Sequence, residues 1–175
     1  MKIYLIRHGQ TDCNLKRIYS SDDIDLNKNG IIQANQMRDK LNEIEYDVVI
    51  CSPLQRAVHT ANIINVKDKN IIIDERLRER SSGNLKGCSY ELTDREEYWN
   101  YYSDIQYGTS ESISSLFERV RDFLDDLKYK EYENVVIVAH NGISKAFYAY
   151  FNGIPKDGRF LNLGVKNIEL KEYSL

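Results

Sequence analysis

The chain has 175 residues, 42% of them hydrophobic and 29% charged, with a formal net charge of −3 at pH 7. These values are ordinary for one globular domain over residues 1–175. The negative charge argues against a surface built for nucleic acid or for an anionic membrane, so an anionic ligand would need a local cluster of cations. Cys13, Cys51 and Cys88 are far apart and form no CxxC pair, which indicates neither a zinc knuckle nor a disulfide framework. With no signal-peptide pattern, we expect a cytoplasmic location.

Short apolar runs alternate with helical patterns along the chain. Buried strands are predicted at residues 2–6, 48–51, 71–73 and 135–139, and a late, alternating strand at residues 165–170. Helices are predicted after Asn27, from Ser52-Pro53 onward, at residues 112–127 and at residues 142–151. The Asn27 helix should bury Ile31, Ala34, Met37 and Leu41, and the Ser52 helix should bury Leu54, Ala57, Val58 and Ala61. This alternation favours an α/β sandwich with a largely parallel sheet. Residues 88–110 interrupt it and are interpreted as a small helical cap or flap.

Three of the predicted strands run directly into conspicuous polar residues. These are Arg7-His8 after the first strand, Ser52 with Arg56 after the second, and His140-Asn141 after residues 135–139. Because ligands bind at the carboxyl ends of parallel strands, the two histidines and two arginines should converge there. Guanidinium groups match phosphate oxygens, and their positive field favours the neutral, nucleophilic imidazole. Glu79, on the loop after residues 71–73, is the best candidate for the acid that protonates a leaving group.

Five motifs carry a resemblance to a known family. They are RHGQT at 7–11, DLNKNG at 25–30 with Gln33-Ala34, SPLQRA at 52–57 with Thr60-Ala61, LRE at 77–79 with Gly87, and VIVAHNG at 136–142. In this order they resemble the histidine phosphatase (phosphoglycerate mutase-like) superfamily over almost the whole chain, and the length is similar to that of its small bacterial phosphatases. The resemblance implies a three-layer sandwich with a mixed, mostly parallel sheet between helices. It also implies catalysis without a metal or other cofactor.

The resemblance assigns roles by position. His8 is similar to the phosphorylated histidine, Arg7, Arg56 and His140 to the phosphate pocket, and Glu79 to the proton donor. Asn14 falls where the family often has an asparagine that contacts phosphate. The chain departs from the family at Asn141, which replaces the first glycine after the second histidine and is a candidate for binding the phosphate or the substrate. It also departs at Ser20 and Ser21, and at Ser82, Leu85 and Lys86. These departures leave the substrate preference open.

The sequence therefore predicts a phosphomonoester hydrolase that acts through phosphohistidine on a small phosphorylated metabolite. Sugar phosphates, phosphoglycerates, nucleotides and ribazole phosphate are the candidate substrates. Three alternatives stay open: mutase-type phosphoryl transfer, which the length of 175 residues disfavours, a non-catalytic phospho-ligand binding module, and iron held by two histidines and a carboxylate. No nucleic-acid or membrane partner is expected, and a homodimer is left open.

Overall fold

The computed structural model describes residues 1–175 and contains a five-stranded mixed sheet. Its strands are β1 (Lys2–Arg7), β2 (Val48–Cys51), β3 (Ile71–Ile73), β4 (Asn134–Ala139) and β5 (Leu170–Ser174). They lie in the order β3-β2-β4-β1-β5. The first four are parallel, and β5 pairs with β1 in the antiparallel direction. The predicted α/β fold with a mixed, mostly parallel sheet is confirmed.

Six α-helices connect or flank these strands. They are α1 (Asp12–Lys16), α2 (Lys28–Leu41), α3 (Gln55–Ile64), α4 (Arg95–Tyr98), α5 (Ile113–Leu127) and α6 (Asn141–Asn152). Side-chain caps set two of their starting points. Asn27 accepts the N–H of Gly30 at 2.8 Å, as predicted, and Ser112 accepts that of Ser115 at 3.1 Å. None of the helices combines the length and the apolar character that a membrane crossing needs.

Two apolar cores lie on opposite faces of the sheet and produce its three layers. Successive side chains of β1 alternate between them, because neighbouring residues of a strand point to opposite faces. Ile3 and Leu5 pack with the apolar stripe of α5 and with Phe147 of α6. Tyr4 and Ile6 pack with residues of α2 and α3. All seven apolar residues of α5 are buried.

The late strand predicted at residues 165–170 is wrong, because β5 begins only at Leu170. The backbone of Val165 is used elsewhere. Its carbonyl accepts hydrogen bonds from Arg7 and Asn141, at 3.1 and 2.9 Å, and its N–H donates to Ser144 at 3.0 Å. Polar side chains from around the strand ends therefore take the hydrogen bonds that a sheet neighbour would have made.

Three smaller predictions on the helices also need correction. Helix α3 begins at Gln55 rather than at Ser52-Pro53, because the Ser52 hydroxyl lies against His140. Ile31 is 37% exposed, since the buried stripe of α2 follows Gly30, Ala34, Met37 and Leu41. Val58 is only half-buried.

Candidate active site

The carboxyl ends of β2, β4 and β1 lie side by side in the sheet and open into a cleft of about 380 Å³. Six of the seven residues singled out in the sequence line this cleft: Arg7, His8, Asn14, Arg56, Glu79 and Asn141. His140 lies directly behind it, with its ring 5.1 Å from that of His8. The structure thus brings together all the side chains whose convergence the sequence predicts.

His8 is held by hydrogen bonds to both of its ring nitrogens. Its Nδ1 lies 2.7 Å from the carbonyl oxygen of Gly9, so Nδ1 carries the proton and donates it. Its Nε2 accepts a hydrogen bond from Nε of Arg56 at 3.3 Å. Burial lowers the pKa of His8 well below 6.5, and the charges of Arg56 and Arg7 lower it further. The ring is therefore neutral at neutral pH, which is the form of a histidine nucleophile.

His140 is oriented by Ser52, with 2.7 Å between Nε2 of the ring and the hydroxyl oxygen. That oxygen also accepts the N–H of Leu54 at 3.3 Å, and when the hydroxyl donates its own proton to Nε2, the proton of the neutral His140 ring sits on Nδ1. Nδ1 is buried and has no partner in the chain. Burial is the main cause that lowers the pKa of His140 well below 6.5, and Arg56, His8 and Arg7 lower it further. A neutral ring with an unused N–H donor results.

Backbone carbonyls fix the side chains of Arg7 and Arg56, and each guanidinium group keeps N–H donors that the chain does not use. Nη1 of Arg7 donates to Val165 at 3.1 Å, while its Nε is buried without a partner. Nη1 of Arg56 donates to Ser21 at 3.1 Å, and only 3% of the residue is exposed. Because neither guanidinium is paired with a carboxylate, both charges are available to an anion in the cleft.

Glu79 reaches the cleft from the loop that follows the short 3₁₀ turn Glu75–Leu77. Its carboxylate accepts the N–H of Gly142, at the start of α6, and the N–H of Arg80 at 2.9 Å. The backbone of this loop is held by Arg119 of α5, which donates to the carbonyls of Arg76, Arg78 and Glu79. Sequence reasoning missed Arg119, because its partners are backbone atoms about 40 positions away.

Asn14 and Asn141 lie at the edge of the cleft and are partly used by the chain itself. Oδ1 of Asn14 accepts the N–H of Thr11 at 3.1 Å and an N–H of Asn167 at 3.2 Å, which leaves the Asn14 Nδ2 donors unused. Nδ2 of Asn141 donates to Val165. Each amide therefore has a fixed orientation and spare capacity for a ligand.

Residues 88–110 form one wall of the cleft with only two short helical segments, the 3₁₀ turn Tyr90–Leu92 and α4. Tyr98 and Trp99 anchor this wall in the core, with 2% and 5% of their surface exposed. The Arg80 guanidinium lies over the Tyr98 ring, 3.7 Å from its centroid, and hydrogen-bonds the carbonyls of Glu111, Tyr98 and Ile105. The wall is therefore attached to the loop that carries Glu79.

Two of the residues that depart from the family pattern, Ser82 and Lys86, line the cleft, and Lys86 is paired with Asp22 at 2.9 Å.

The structure gathers no group of three or more His, Cys, Asp or Glu side chains that could hold a metal ion. The alternative of iron bound by two histidines and a carboxylate therefore has no ligand set.

Comparisons with known proteins agree with this geometry. Residues 3–174 match the family model of the histidine phosphatase superfamily (branch 1). The chain is 30% identical to the adenosylcobalamin/alpha-ribazole phosphatase of Escherichia coli, over 90% of this chain and 82% of that protein. It is also 30% identical to the metal-independent phosphoserine phosphatase of Arabidopsis thaliana, over 98% and 77% of the two chains. The structure of a mycobacterial glucosyl-3-phosphoglycerate phosphatase complexed with VO3 superposes with a TM-score of 0.86 at 26% identity, covering 99% of this chain and 92% of that one. The chain belongs to the histidine phosphatase superfamily.

Proposed function

We propose that the protein is a metal-independent phosphomonoester hydrolase that works through a phosphohistidine at His8. The observation that carries this proposal is the state of His8: a neutral ring whose Nε2 lies beside Arg56 in a cleft that also holds Glu79. A nucleophile, an anion-binding pair and a proton donor are thus present in one cavity, as phosphoryl transfer requires.

In the first step, Nε2 of His8 attacks phosphorus in line with the leaving oxygen. Arg7 and Arg56 bind the equatorial oxygens, and Nδ1 of His140 donates the N–H that has no partner in the chain. These donors are fixed before the substrate arrives, so they stabilise the developing charge with little reorganisation. Glu79, in its protonated form, gives a proton to the leaving oxygen.

In the second step, water cleaves the phosphohistidine. Glu79 is now a carboxylate and takes a proton from the attacking water, which lies where the leaving group was. Inorganic phosphate leaves, and His8 returns to its neutral form. The N–H groups of Gly142 and Arg80 keep the carboxylate at the same position through both steps.

The substrate class follows in outline from the relatives and from the size of the cleft. The relatives are named for phosphoserine, for adenosylcobalamin or alpha-ribazole, and for glucosyl-3-phosphoglycerate, and phosphoserine and glucosyl-3-phosphoglycerate are small phosphate monoesters. A cleft of about 380 Å³ is within the range of small-molecule sites. We therefore infer a small phosphorylated metabolite.

A non-catalytic phospho-ligand binding module would have no use for Glu79, whose carboxylate is held in the cleft by two backbone donors. A mutase differs from a hydrolase in the fate of the phosphoryl group, which it returns to the substrate skeleton. Release of inorganic phosphate without stimulation by a bisphosphate primer distinguishes a hydrolase from a mutase.

The experiment measures phosphate release from an aryl phosphate in EDTA, with and without vanadate, together with acid-quenched trapping of the phosphoenzyme. We expect vanadate-sensitive turnover in EDTA that disappears, with the phosphoenzyme, in His8→Ala. His59→Ala is the matched control, since His59 lies outside the cleft in a pair with Asp25, and it should retain turnover. Normal turnover in His8→Ala would contradict the mechanism, and restoration of activity only by an added metal would contradict metal independence.

A further inference from the structure

The cleft has more positive charge than one phosphate group needs. Six cationic side chains line it, against the two acidic side chains of Asp22 and Glu79, although the whole chain has a net charge of −3. Arg7 and Arg56 are committed to the phosphate in the proposed function. The remaining cations are Arg78, Arg80, Lys86 and Arg95.

Three of these four cations are already engaged by the chain. Arg78 pairs with Asp22 at 3.1 Å and with Glu75, and Lys86 pairs with Asp22. Arg80 is 4% exposed and directs its donors at backbone carbonyls. These three side chains therefore have little capacity left for a ligand.

Arg95 is different, because it forms neither an ion pair nor a hydrogen bond to a carbonyl. Within the chain, Nη1 of Arg95 donates a hydrogen bond to the hydroxyl oxygen of Tyr19, at 3.1 Å. Its guanidinium carbon lies over the ring of Tyr90, 4.2 Å from the centroid, and 5.6 Å from that of Tyr19. The two rings hold the guanidinium group in place, while its Nε and Nη2 donors stay free.

Tyr90 connects Arg95 to the phosphate end of the cleft. Its hydroxyl makes no hydrogen bond within the chain, and the residue lines the cavity. Burial raises the pKa of this hydroxyl. The charges of Arg95 and Arg7 act in the opposite direction, and the charge of Glu79 raises the pKa further. The Tyr90 phenol group therefore senses the charges of Arg95, Glu79 and Arg7, which all line the same cleft. Arg95 and the proposed phosphate-binding arginines line the same cleft of about 380 Å³, so a ligand that contacts both ends has a short carbon skeleton.

We propose that Arg95, together with the hydroxyl of Tyr90, binds a carboxylate of the substrate, so that the preferred substrates are short-chain phosphomonoesters that carry a carboxylate. The planar guanidinium fork matches a carboxylate in shape, and its single charge balances a single negative charge. A second phosphate, with about two charges, would require a further free cation, and Arg78 and Lys86 are already paired with Glu75 and Asp22. This inference rests on the proposed function, because it names the substrate class of the same site.

The test compares substrates that differ in the carboxylate alone. The kcat/KM for 3-phosphoglycerate is measured beside that for glycerol 3-phosphate, and that for phosphoserine beside that for phosphoethanolamine, in wild type, Arg95→Gln and Arg95→Lys. Since a hydrogen-bonded charge pair contributes about 10- to 100-fold, we expect the wild type to prefer the carboxylated member by that factor. Arg95→Gln should lose this preference, and Arg95→Lys should retain part of it.

Two controls separate direct contact from a general charge effect. Arg121→Gln removes an exposed cation of α5, and Lys86→Gln removes a cleft cation that is already paired. Both should keep the ratio of the two kcat/KM values within about threefold of the wild type, because neither side chain has a free donor directed at the carboxylate.

Each outcome points to a different conclusion. If the wild type hydrolyses neither the carboxylated esters nor an aryl phosphate, the proposed function itself is wrong. If it hydrolyses aryl and glycerol phosphates but shows no carboxylate preference, or a preference unchanged in a folded Arg95→Gln variant, the carboxylate site is wrong and the hydrolase remains. A higher kcat/KM for propane-1,3-diol bisphosphate than for 3-phosphoglycerate would assign the site to a second phosphate and overturn the carboxylate.

Discussion

The backbone N–H of Gly142 donates to both carboxylate oxygens of Glu79, at 2.9 and 3.2 Å. Gly142 is the second residue of α6, directly beyond the strand end that carries His140. The proposed acid is therefore positioned by the same strand-to-helix junction that positions the phosphate pocket. The absence of a side chain at Gly142 makes this contact possible, because an added Cβ would meet Oε1 of Glu79 and lie 3.0 Å from Trp99.

Gly142→Ala should lower kcat by about 10- to 100-fold, since displacing a catalytic group by roughly 1 Å has an effect of this order. The new methyl group moves the Glu79 carboxylate, because the alternative is to move Trp99, which is 5% exposed and packed in the core. Steady-state kinetics measure the change in kcat, and a thermal melt measures any change in stability. Glu79→Gln, which cannot transfer the proton, provides the reference for complete loss of the acid. A wild-type kcat in Gly142→Ala would show that the position of Glu79 does not matter.

Ser52→Ala should lower kcat/KM about 10-fold with a small change in thermal stability. The substitution removes the hydroxyl that holds Nε2 of His140 at 2.7 Å, and with it the orientation of the Nδ1 donor. Ser112→Ala is the control for loss of a serine hydroxyl elsewhere, because Ser112 caps α5 and lies outside the cleft. That variant should lose about 1 kcal/mol of unfolding free energy and keep its activity. Equal kinetics in the two variants would contradict the role of Ser52.

Much of the fold could be predicted from the sequence because its signals are local. Buried parallel strands appear as β-branched runs, and the caps at Asn27 and Ser112 lie immediately before apolar stripes. The convergence of His8, Arg56 and His140 follows from one topological rule, that the carboxyl ends of parallel strands share an edge. These three residues come from distant segments, and their grouping still required no more than the strand assignments.

The parts that could not be predicted depend on contacts between distant segments. Val165 lies in an alternating pattern typical of a strand, but Arg7, Asn141 and Ser144 take its backbone hydrogen bonds. The availability of Arg95 also depends on Asp22, which is the partner of other cations of the cleft. Nothing in the local sequence distinguishes a paired cation from an unpaired one.

Acid should destabilise the protein through His8 and His140. Both have a folded-state pKa well below 6.5, so the unfolded chain binds more protons as the pH falls below 6.5, and stability is lost in that range. Each ring can cost up to about 1.4 kcal/mol for each pH unit below 6.5. Urea unfolding at pH 7.5 and 5.5 measures this loss. In His8→Asn the loss should be smaller than in the wild type, and an equal or larger loss would mean that His8 is not buried in its neutral form.

Lys145 is fully buried on α6, and burial lowers its pKa from 10.5 to about 7. Its Nζ donates to the carbonyls of Phe160 and Leu161, both at 2.6 Å, and Leu161 lines the cleft. A neutral amine has two N–H groups, which is enough for both carbonyls. The side chain therefore keeps its contacts when it loses its charge, and its effect on stability should depend on pH.

Lys145→Met should destabilise the protein more at pH 9 than at pH 6. The unfolded chain keeps this lysine protonated up to about 10.5, so the stability of the wild type rises as the pH increases above about 7. Methionine fills a similar volume and does not titrate, so the difference in unfolding free energy between wild type and variant should grow by about 2–3 kcal/mol from pH 6 to pH 9. Denaturant melts at the two pH values measure this difference, and every other titrating group is shared by both proteins. A difference that is constant, or that shrinks toward pH 9, would show that Lys145 stays charged in the core.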